Sequence, residues 1–313
     1  MEIKKVTLIG LGAMGSFFAP RLAAGLGDGA FRVLAEGARK TRLESQGVTL
    51  NGVTYRFPII EPSVEGDPAD LVIMAVKDMG LDQAIMDIRN QVGPNTQILC
   101  VMNGIESEEK VAAVYGWEHV LYSYMRISIV MDQGIANFNP DGGSVHFGEK
   151  DNKELSSRVL AVKDVFDLCG IPYEIDPDMI KGIWFKFMCN VGENMTCALL
   201  GIPFGVFRTD EHANWIRRSA MREVAAIAQK KGIDIGEREI ELQEKVIVRL
   251  PFENKPSTLQ DLERGRKTEV DMFSGTVIRL GEELGIDTPV NRVLYHGIKA
   301  HESENERLKT AEN

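Results

Sequence analysis

The chain has 313 residues, of which 44% are hydrophobic and 26% are charged, and its formal net charge at pH 7 is −10. This length suits two domains of ordinary size, and the composition is that of a folded protein. The acidic balance argues against nucleic acid as a partner, because phosphate binding needs clustered lysines and arginines. Since neither a signal peptide nor a membrane-spanning stretch is recognisable, we expect a cytoplasmic protein without a membrane partner.

The cysteines and histidines predict no metal site. Cys100, Cys169, Cys189 and Cys197 form no CxxC pair and show no metal-ligand spacing, and the five histidines are scattered. Because the neighbours of the cysteines are apolar, we expect four buried, free thiols.

The first half of the chain alternates short apolar runs with helical patterns, which is typical of a parallel α/β sheet. From residue 120 to 147 the polarity alternates around a Gly142-Gly143 turn, which predicts antiparallel strands at the sheet edge. The other elements predicted here are strands at 6–9, 31–34, 71–76 and 97–101 and helices at 13–24 and 78–89.

After residue 177 the pattern is helical throughout. Gly232 and Gly285 are placed to terminate two helices, and the tail from Glu302 is expected to be frayed. The predicted helices are 181–200, 214–231, 237–248 and 258–284. The predicted fold class is α/β, with a Rossmann-type doubly wound sheet in residues 1–176 followed by an all-α domain in residues 177–313. A small ligand is expected in the cleft between the two domains.

A GxGxxG motif follows the first predicted strand and opens the first predicted helix, with the sequence Gly10-Leu11-Gly12-Ala13-Met14-Gly15. In this position Gly10 permits a tight turn, Gly12 lets a pyrophosphate approach the backbone, and Gly15 lets helix and strand pack closely. The helix N-terminus then offers N–H donors and a partial positive charge to the phosphates. The motif predicts a dinucleotide cofactor.

The choice between NAD and NADP is open at the ribose end of this site. Glu36 lies 21 residues after Gly15, where a carboxylate usually binds the 2′-hydroxyl of NAD. Arg39, Lys40 and Arg42 follow at once, and they could bind the 2′-phosphate of NADP or form a solvated loop. Taken alone, these residues slightly favour NAD.

A narrow polar stripe interrupts an apolar helix at residues 183–194. Lys186, Asn190 and Asn194 are four residues apart, so they advance only about 40° per step around a regular helix, and Glu193 falls on the same stripe. A buried lysine suits proton donation to a ketone oxygen, because desolvation lowers its pKa towards neutrality. The asparagines could hold the ketone and the carboxylate or hydroxyl groups of a substrate. Alternatively, internal hydrogen bonds satisfy the stripe.

A second polar element begins near residue 257. Ser257 with Gln260 matches a capping box, and Asp261, Gly265 and Glu269 would then form a stripe on one long helix. As alternatives, Ser257 is only an N-cap and Glu269 is an ordinary exposed glutamate.

Two further candidates follow the predicted strands of the first half. Asn103-Gly104 comes after the strand at 97–101, and Lys77 ends the strand before it. Ligands of doubly wound sheets bind at this edge, although plain turn chemistry would also explain these residues.

Taken together, these features resemble the ketopantoate reductase family over nearly the whole chain and in the right order. The resemblance implies NADPH-dependent reduction of 2-dehydropantoate, or a closely related 2-keto acid, to (R)-pantoate, a step towards pantothenate and coenzyme A. The residues that carry it are Gly10 to Gly15, Ala75-Val76-Lys77, Met102-Asn103-Gly104, Lys186, Asn190, Asn194, Ser257 to Asp261 and Lys267 to Asp271.

The resemblance also implies roles for these residues. The hydride would come from the nicotinamide and the proton from Lys186, with Glu269 as the second catalytic residue, in contact with cofactor and substrate. The substrate would be held by Asn103, Asn190, Asn194 and Ser257. The predicted cofactor contacts are Gly10, Leu11, Gly12, Ala13, Met14, Gly15, Glu36, Arg39, Lys77, Asn103 and Glu269.

Two other functions stay open at this stage. A β-hydroxyacid dehydrogenase would share the glycine motif and a lysine followed by an asparagine four residues later. A non-catalytic NAD(P)-binding sensor would keep the glycine motif alone. The chain also differs from the family pattern at Gly192-Glu193, where apolar residues are usual, and at Phe204. The oligomeric state is not fixed, with a homodimer as one outcome.

Overall fold

The computed structural model describes residues 2–127, 129, 131–139 and 141–312. It divides into two compact units, Met1–Ile180 and Lys181–Asn313. Within the described residues, no helix combines the length and the apolar character that crossing a bilayer requires.

The first unit is built on a sheet of eight strands in the part of the chain that the structure describes. In spatial order the strands are β12 (Tyr173–Glu174), β11 (Ser144–Gly148), β8 (Val120–Arg126), β7 (Val92–Cys100), β6 (Ala69–Met74), β1 (Val6–Ile9), β2 (Phe31–Leu34) and β5 (Ile59–Ile60). The last six strands of this order, from β8 to β5, are parallel to one another, and β11 runs antiparallel to β8. The direction of winding reverses between β1 and β6, as in a doubly wound sheet.

Both faces of this sheet are buried, which explains its continuous apolar runs. In β6, Leu71 and Ile73 belong to one hydrophobic core, whereas Val72 and Met74 belong to the core on the other face. The predicted α/β class and the antiparallel edge pair are confirmed. Three residues of the predicted 120–147 segment, Ser128, Val130 and Pro140, lie outside the described residues.

Helices and a small second sheet complete the first unit. The helices are α1 (Ala13–Leu26), α2 (Gly37–Gln46), α3 (Leu81–Asp87), α4 (Ser107–Tyr115) and α5 (Ser157–Leu168). The second sheet contains, in spatial order, β4 (Val53–Tyr55), β3 (Val48–Leu50), β10 (Ile135–Ala136) and β9 (Met131–Asp132). The predicted helix at 78–89 is instead a 3₁₀ turn at Asp78–Gly80, then α3, then a 3₁₀ turn at Ile88–Gln91.

The described residues of the second unit form helices joined by turns and loops and include no strand, which confirms the predicted all-α region. Two of its segments are π-helical: a first π-helical turn at Asn190–Asn194 and a second at Asp271–Gly275. The α-helices are α6 (Met179–Cys189, which begins at the end of the first unit), α7 (Met195–Leu200), α8 (Glu211–Lys230), α9 (Glu237–Ile247), α10 (Ser257–Glu263), α11 (Thr276–Leu284) and α12 (Pro289–Glu312).

The long helix predicted at 258–284 is wrong, because the chain leaves the helix at Gly265. This residue has a φ of 61°. Its N–H bonds the carbonyl of Leu262 (2.9 Å), and the N–H of Arg266 bonds the carbonyl of Asp261 (2.7 Å). This pattern is a Schellman helix end. Glycine stands here because L side chains rarely adopt that backbone conformation.

The predicted fraying from Glu302 is also wrong. Helix α12 continues to Glu312. Glu302 is buried, and its carboxylate accepts hydrogen bonds from the backbone N–H (2.7 Å) and the hydroxyl (2.6 Å) of Thr268. The C-terminal helix therefore anchors the segment that leads to Glu269.

Candidate functional site

The glycine loop lies where the sheet reverses its winding. Gly10 follows β1 with a φ of 97°, and a Cβ there would lie 2.5 Å from the backbone carbon of Ala75, which follows β6. A Cβ on Gly15 would lie 2.2 Å from the carbonyl oxygen of Gly10. Close packing therefore requires glycine at both positions, and Gly10 is also required for its backbone conformation.

Gly12 differs from its two neighbours because the space beside it is open. No heavy atom lies within 4 Å of a Cβ built there. It is the N-cap of the 14-residue helix α1 and has no side-chain cap. The open space, the free approach to backbone and the helix N-terminus fit a pyrophosphate group. Of the other motif residues, Leu11 is buried and Met14 packs against the core.

The ribose-end candidates lie at the start of α2. Glu36 is the exposed N-cap residue, and it makes no side-chain cap hydrogen bond. Arg39 is exposed and lies on helix α2, so it does not belong to a solvated loop. Partial desolvation and the nearby charge of Arg42 lower the pKa of the Arg39 guanidinium. Lys40 is paired with Glu61 at 3.1 Å, so the two arginines are the better phosphate ligands.

Lys77 and Asn103 share the same edge of the sheet. Lys77 is exposed and comes three residues after β6, and Asn103 is partly buried and comes three residues after β7. Because β1, β2, β6 and β7 are parallel, their carboxyl ends meet at one edge. The first unit therefore brings together every cofactor candidate predicted within it.

Lys186 and the two asparagines lie on α6 and the first π-helical turn. Asn190 opens the turn and Asn194 closes it, and Lys186 precedes it on α6. Lys186 and Asn190 are partly buried, and Asn194 is buried. In the described part of the chain, the side-chain amides of both asparagines make no hydrogen bond. Their donors and acceptors are therefore available to a bound ligand.

The π-helical geometry changes the predicted stripe. A π-helical turn contains an extra residue, so the four-residue spacing no longer keeps side chains on one face as in a regular α-helix. Glu193, which the sequence placed beside Lys186, instead accepts hydrogen bonds from Arg217 of α8 (3.3 Å) and Gln243 of α9 (3.1 Å). Sequence reasoning missed these two partners.

Glu269 lies two residues before the second π-helical turn. This turn packs against the first one, and the rings of Phe187 and Phe273 stack at 6.1 Å. Glu269 is partly buried. Because α10 ends at Glu263, Glu269 does not share a helix stripe with Asp261, and that prediction is corrected. The second turn opens α11, whereas the first lies between α6 and α7, and single π-helical turns inside helices are frequent at functional sites.

Ser257 is the first residue of α10 and is exposed. The predicted capping box is wrong: the N-cap is Pro256, and the side chain of Gln260 donates to the carbonyl of Lys255 (2.8 Å). Helix α10 packs against the first π-helical turn and α7. The second unit thus brings together the elements that carry Lys186, Asn190, Asn194, Ser257 and Glu269.

Two other groups of polar residues lie apart from these elements. His146, Glu174 and Asp176 offer atoms within 4.8 Å of one another that could hold a metal ion. However, the Asp176 carboxylate already bonds Nδ1 of His146 (3.1 Å) and the hydroxyl of Tyr124 (2.6 Å). The four cysteines are free and buried, as predicted.

A cavity of about 630 Å³ opens between α8 and α9 and contains none of the predicted site residues. Three of the four arginines that line it are paired with carboxylates: Arg217 and Arg218 with Glu244, and Arg218 and Arg222 with Glu237. The fourth, Arg208, donates to the carbonyl of Leu250.

A doubly wound sheet with this glycine loop, followed in the same chain by a helical unit bearing a lysine and two asparagine amides, is typical of a nicotinamide-dependent oxidoreductase. The family model described as "Ketopantoate reductase PanE/ApbA" matches residues 6–152, and the one described as "Ketopantoate reductase PanE/ApbA C terminal" matches residues 178–302. The chain belongs to the ketopantoate reductase family, as its sequence motifs predicted. It is an NAD(P)-dependent oxidoreductase that acts on CH–OH donors.

Individual relatives agree with this assignment. A 2-dehydropantoate 2-reductase of Streptococcus pyogenes is 28% identical over 268 residues, which cover 83% of this chain and 86% of that protein. A D-mandelate dehydrogenase in complex with NADH and anilino(oxo)acetate has the same fold, with a TM-score of 0.86, 22% identity and coverage of 96% and 99%. A dimeric ketopantoate reductase from Staphylococcus aureus gives a TM-score of 0.77, 19% identity and coverage of 96% and 99%.

Proposed function

We propose that the protein reduces 2-dehydropantoate, or a closely related 2-keto acid, to (R)-pantoate with NADPH. The observation that carries this proposal is the first π-helical turn, with Lys186 just before it and an amide at each end, Asn190 and Asn194. Neither amide has a hydrogen-bond partner among the described residues. A lysine and several amide donors are what a keto acid needs, because its ketone must receive a proton while its carboxylate is held.

The first unit would bind the cofactor. The N-terminus of α1 and the open space at Gly12 would hold the pyrophosphate. Lys77 and Asn103, at the ends of β6 and β7, would lie along the rest of the dinucleotide. When bound, the nicotinamide supplies the hydride.

NADPH is the cofactor that we propose, because Arg39 and Arg42 lie close enough for each charge to act on the other. Two neighbouring guanidinium groups repel each other, and a phosphate between them would remove that repulsion. Glu36 opposes this choice, since its exposed carboxylate would repel the same phosphate. We therefore expect NADPH to bind more tightly than NADH, but with a preference that Glu36 weakens.

The second unit would act on the keto acid. Lys186 would donate the proton to the ketone oxygen and stabilise the negative charge that develops there. The amides of Asn190 and Asn194 would bind the ketone and carboxylate, with Asn103 and Ser257 as further contacts. Glu269 would contact the substrate hydroxyl, and Thr268 beside it is fixed by Glu302.

The test is steady-state turnover with 2-dehydropantoate and NADPH, after fluorescence titrations with NADPH and NADH. We expect saturable turnover to (R)-pantoate and tighter binding of NADPH. Binding of either nucleotide without turnover of any 2-keto acid or 3-hydroxy acid would favour a non-catalytic NAD(P)-binding sensor. Oxidation of a 3-hydroxy acid would favour a β-hydroxyacid dehydrogenase.

A second candidate is an NADH-dependent 2-hydroxyacid dehydrogenase with an aromatic substrate. It is favoured by Glu36 and by the similar fold of the D-mandelate dehydrogenase bound to NADH. Phenylglyoxylate with NADH is therefore the comparison reaction. A higher kcat/KM for this pair than for 2-dehydropantoate with NADPH would replace our first proposal with the second.

We also propose a homodimer, because the Staphylococcus aureus relative is described as dimeric. Light scattering coupled to gel filtration measures the mass directly. A mass near twice the 34.7 kDa of the chain is expected, whereas the monomer mass at micromolar concentration would reject a stable dimer.

A further inference from the structure

A buried charge cluster lies behind the first π-helical turn. Glu193, in this turn, is only 5% exposed. One of its carboxylate oxygens accepts from Arg217 Nη1 at 3.3 Å, and the other accepts from Gln243 Nε2 at 3.1 Å. Arg217 is 1% exposed, and its second terminal nitrogen donates to Glu244 at 3.2 Å. The turn is thus tied to α8 and α9 through one side chain.

Such a cluster adds little net stability to the packing of a helix. Desolvation of two charges offsets much of their attraction, so apolar residues of similar volume would stabilise the fold at least as well. Burial raises the pKa of Glu193 to about 7, against the opposing effects of Arg217 and Gln243. What a buried ion pair does provide is a single defined arrangement, because any other leaves a charge without a partner.

Gly192, next to Glu193, makes a second contact between the first π-helical turn and α8. A Cβ on Gly192 would lie 2.4 Å from Cγ of Met221 and 2.9 Å from the carbonyl oxygen of Arg217. Helix α8 can therefore approach the turn only because residue 192 has no side chain. Contact with α8 at Gly192 and the ion pair at Glu193 together define the turn.

Asn190 and Asn194 are the two ends of this turn, so the directions of their amides depend on its conformation. A π-helical turn that relaxed to regular α-helix would rotate Asn194 relative to Asn190. We infer that Glu193 is a positioning residue, which holds the first π-helical turn through Arg217 and Gln243 and thereby aims Asn190 and Asn194 at the keto acid. This inference rests on the substrate-binding role proposed above for the two asparagines.

The experiment compares Glu193→Gln with a matched control, Arg218→Ala. Arg218 lies on α8 beside Arg217 and also pairs with Glu244 (3.0 Å), but it does not contact Glu193. The first readout is hydrogen exchange of the backbone amides of residues 186–196 in the unliganded protein, which does not depend on any substrate. We expect faster exchange in Glu193→Gln and unchanged exchange in the control.

The second readout is kinetic. With 2-dehydropantoate and NADPH, Glu193→Gln should lower kcat/KM for the keto acid about 10- to 100-fold, because small misplacements of binding groups have effects of this size. The Kd for NADPH should stay unchanged. Asn194→Ala, measured beside it, should give a similar loss.

These readouts separate failure of the inference from failure of the proposed function. Unchanged exchange in Glu193→Gln would overturn the positioning role whatever the kinetics. Faster exchange with unchanged kcat/KM, while Asn194→Ala is impaired, would leave Glu193 as a purely structural residue. No loss in Asn194→Ala would refute the proposed substrate contact, and with it the link from Glu193 to the substrate.

A second variant covers the case in which Glu193→Gln folds poorly. Glu193→Leu combined with Arg217→Met replaces the buried pair by apolar side chains of similar volume, which should restore the melting temperature. We expect this double variant to remain impaired in kcat/KM for the keto acid, because packing alone does not fix the turn. Wild-type kcat/KM in the double variant would overturn the inference.

Discussion

The two units present their site residues by different backbone devices. In the first unit, Gly10, Lys77 and Asn103 emerge from the carboxyl ends of parallel strands, whose directions the sheet fixes. In the second unit, the candidate residues lie in or beside helices with two π-helical turns, one between α6 and α7 and one at the start of α11. The strand ends need only a correct sheet, whereas the π-helical turns need specific side-chain partners to hold an irregular backbone.

The largest effect that this contrast predicts is on chemistry in the second unit. Lys186→Ala should lower kcat about 10²- to 10⁴-fold, the usual contribution of a general acid, with little change in the Kd for NADPH. Stopped-flow and equilibrium fluorescence would measure the two quantities. Lys181→Ala is the control on the same helix, since Lys181 pairs with Glu239 (3.1 Å) and Asp234 (3.3 Å). Near-wild-type kcat in Lys186→Ala would remove the lysine from the mechanism.

The glycine loop offers a test in the first unit, where backbone geometry alone should decide the result. Gly10→Ala should lower the melting temperature, because its Cβ would meet the backbone near Ala75 and its φ is positive. Gly12→Ala should melt like the wild type but bind NADPH at least about tenfold more weakly, a loss of ~1.4 kcal/mol. Thermal denaturation with and without NADPH measures both. Full NADPH affinity in Gly12→Ala would show that the pyrophosphate does not lie over this residue.

Cofactor preference tests the proposed contact between Arg39 and the 2′-phosphate of NADPH. Arg39→Ala should weaken NADPH binding about tenfold and leave NADH binding unchanged, because only NADPH carries the 2′-phosphate. Glu36→Gln should act in the opposite direction and strengthen NADPH binding. Fluorescence titration of both nucleotides is the measurement, with exposed Arg89→Ala as the control. Equal losses for both nucleotides in Arg39→Ala would contradict a phosphate contact.

A smaller effect concerns stability and comes from a buried glutamate of the first unit. Glu108 of α4 bonds the hydroxyl of Ser107 (2.8 Å) and the N–H of Ser123 (3.2 Å), and burial raises its pKa to about 7 from 4.5. Between these values the folded state keeps a proton that the unfolded chain has lost, so the free energy of unfolding falls as pH rises. Glu108→Gln should remove that decline and gain about 1 kcal/mol at pH 8. Denaturant melts at pH 5 and pH 8 test this, and an unchanged pH dependence would contradict it.

The cofactor edge could be predicted from the sequence because its signals are local. Gly10 and Gly15 are required by backbone contacts within the strand–turn–helix, and such contacts leave a fixed spacing. The strands β1 and β2 have the predicted bounds because their apolar runs are bounded by turns. The short strands β3 and β4 escaped prediction, since three residues show no periodicity. Strands β9 and β10 fall within the segment predicted to be antiparallel, but they pair in the second sheet and not at the edge of the first.

The helical site could be predicted only in part, because periodicity assumes a regular helix. Lys186 and Asn190 were recognised by residue type, but nothing in their spacing reveals a π-helical turn. The signal that could have revealed it is Gly192-Glu193, a glycine and a charge inside an apolar helix. Likewise, the predicted stripe places Gly265 inside a helix, although a left-handed helix end is the commoner reason for glycine.

The most direct test of the account is a crystal structure of the protein with NADP⁺ and (R)-pantoate. We predict that the side-chain nitrogens of Asn190 and Asn194 lie about 3 Å from pantoate oxygens and that Lys186 Nζ reaches the oxygen at C2. Pantoate bound without contact to the first π-helical turn would contradict the account.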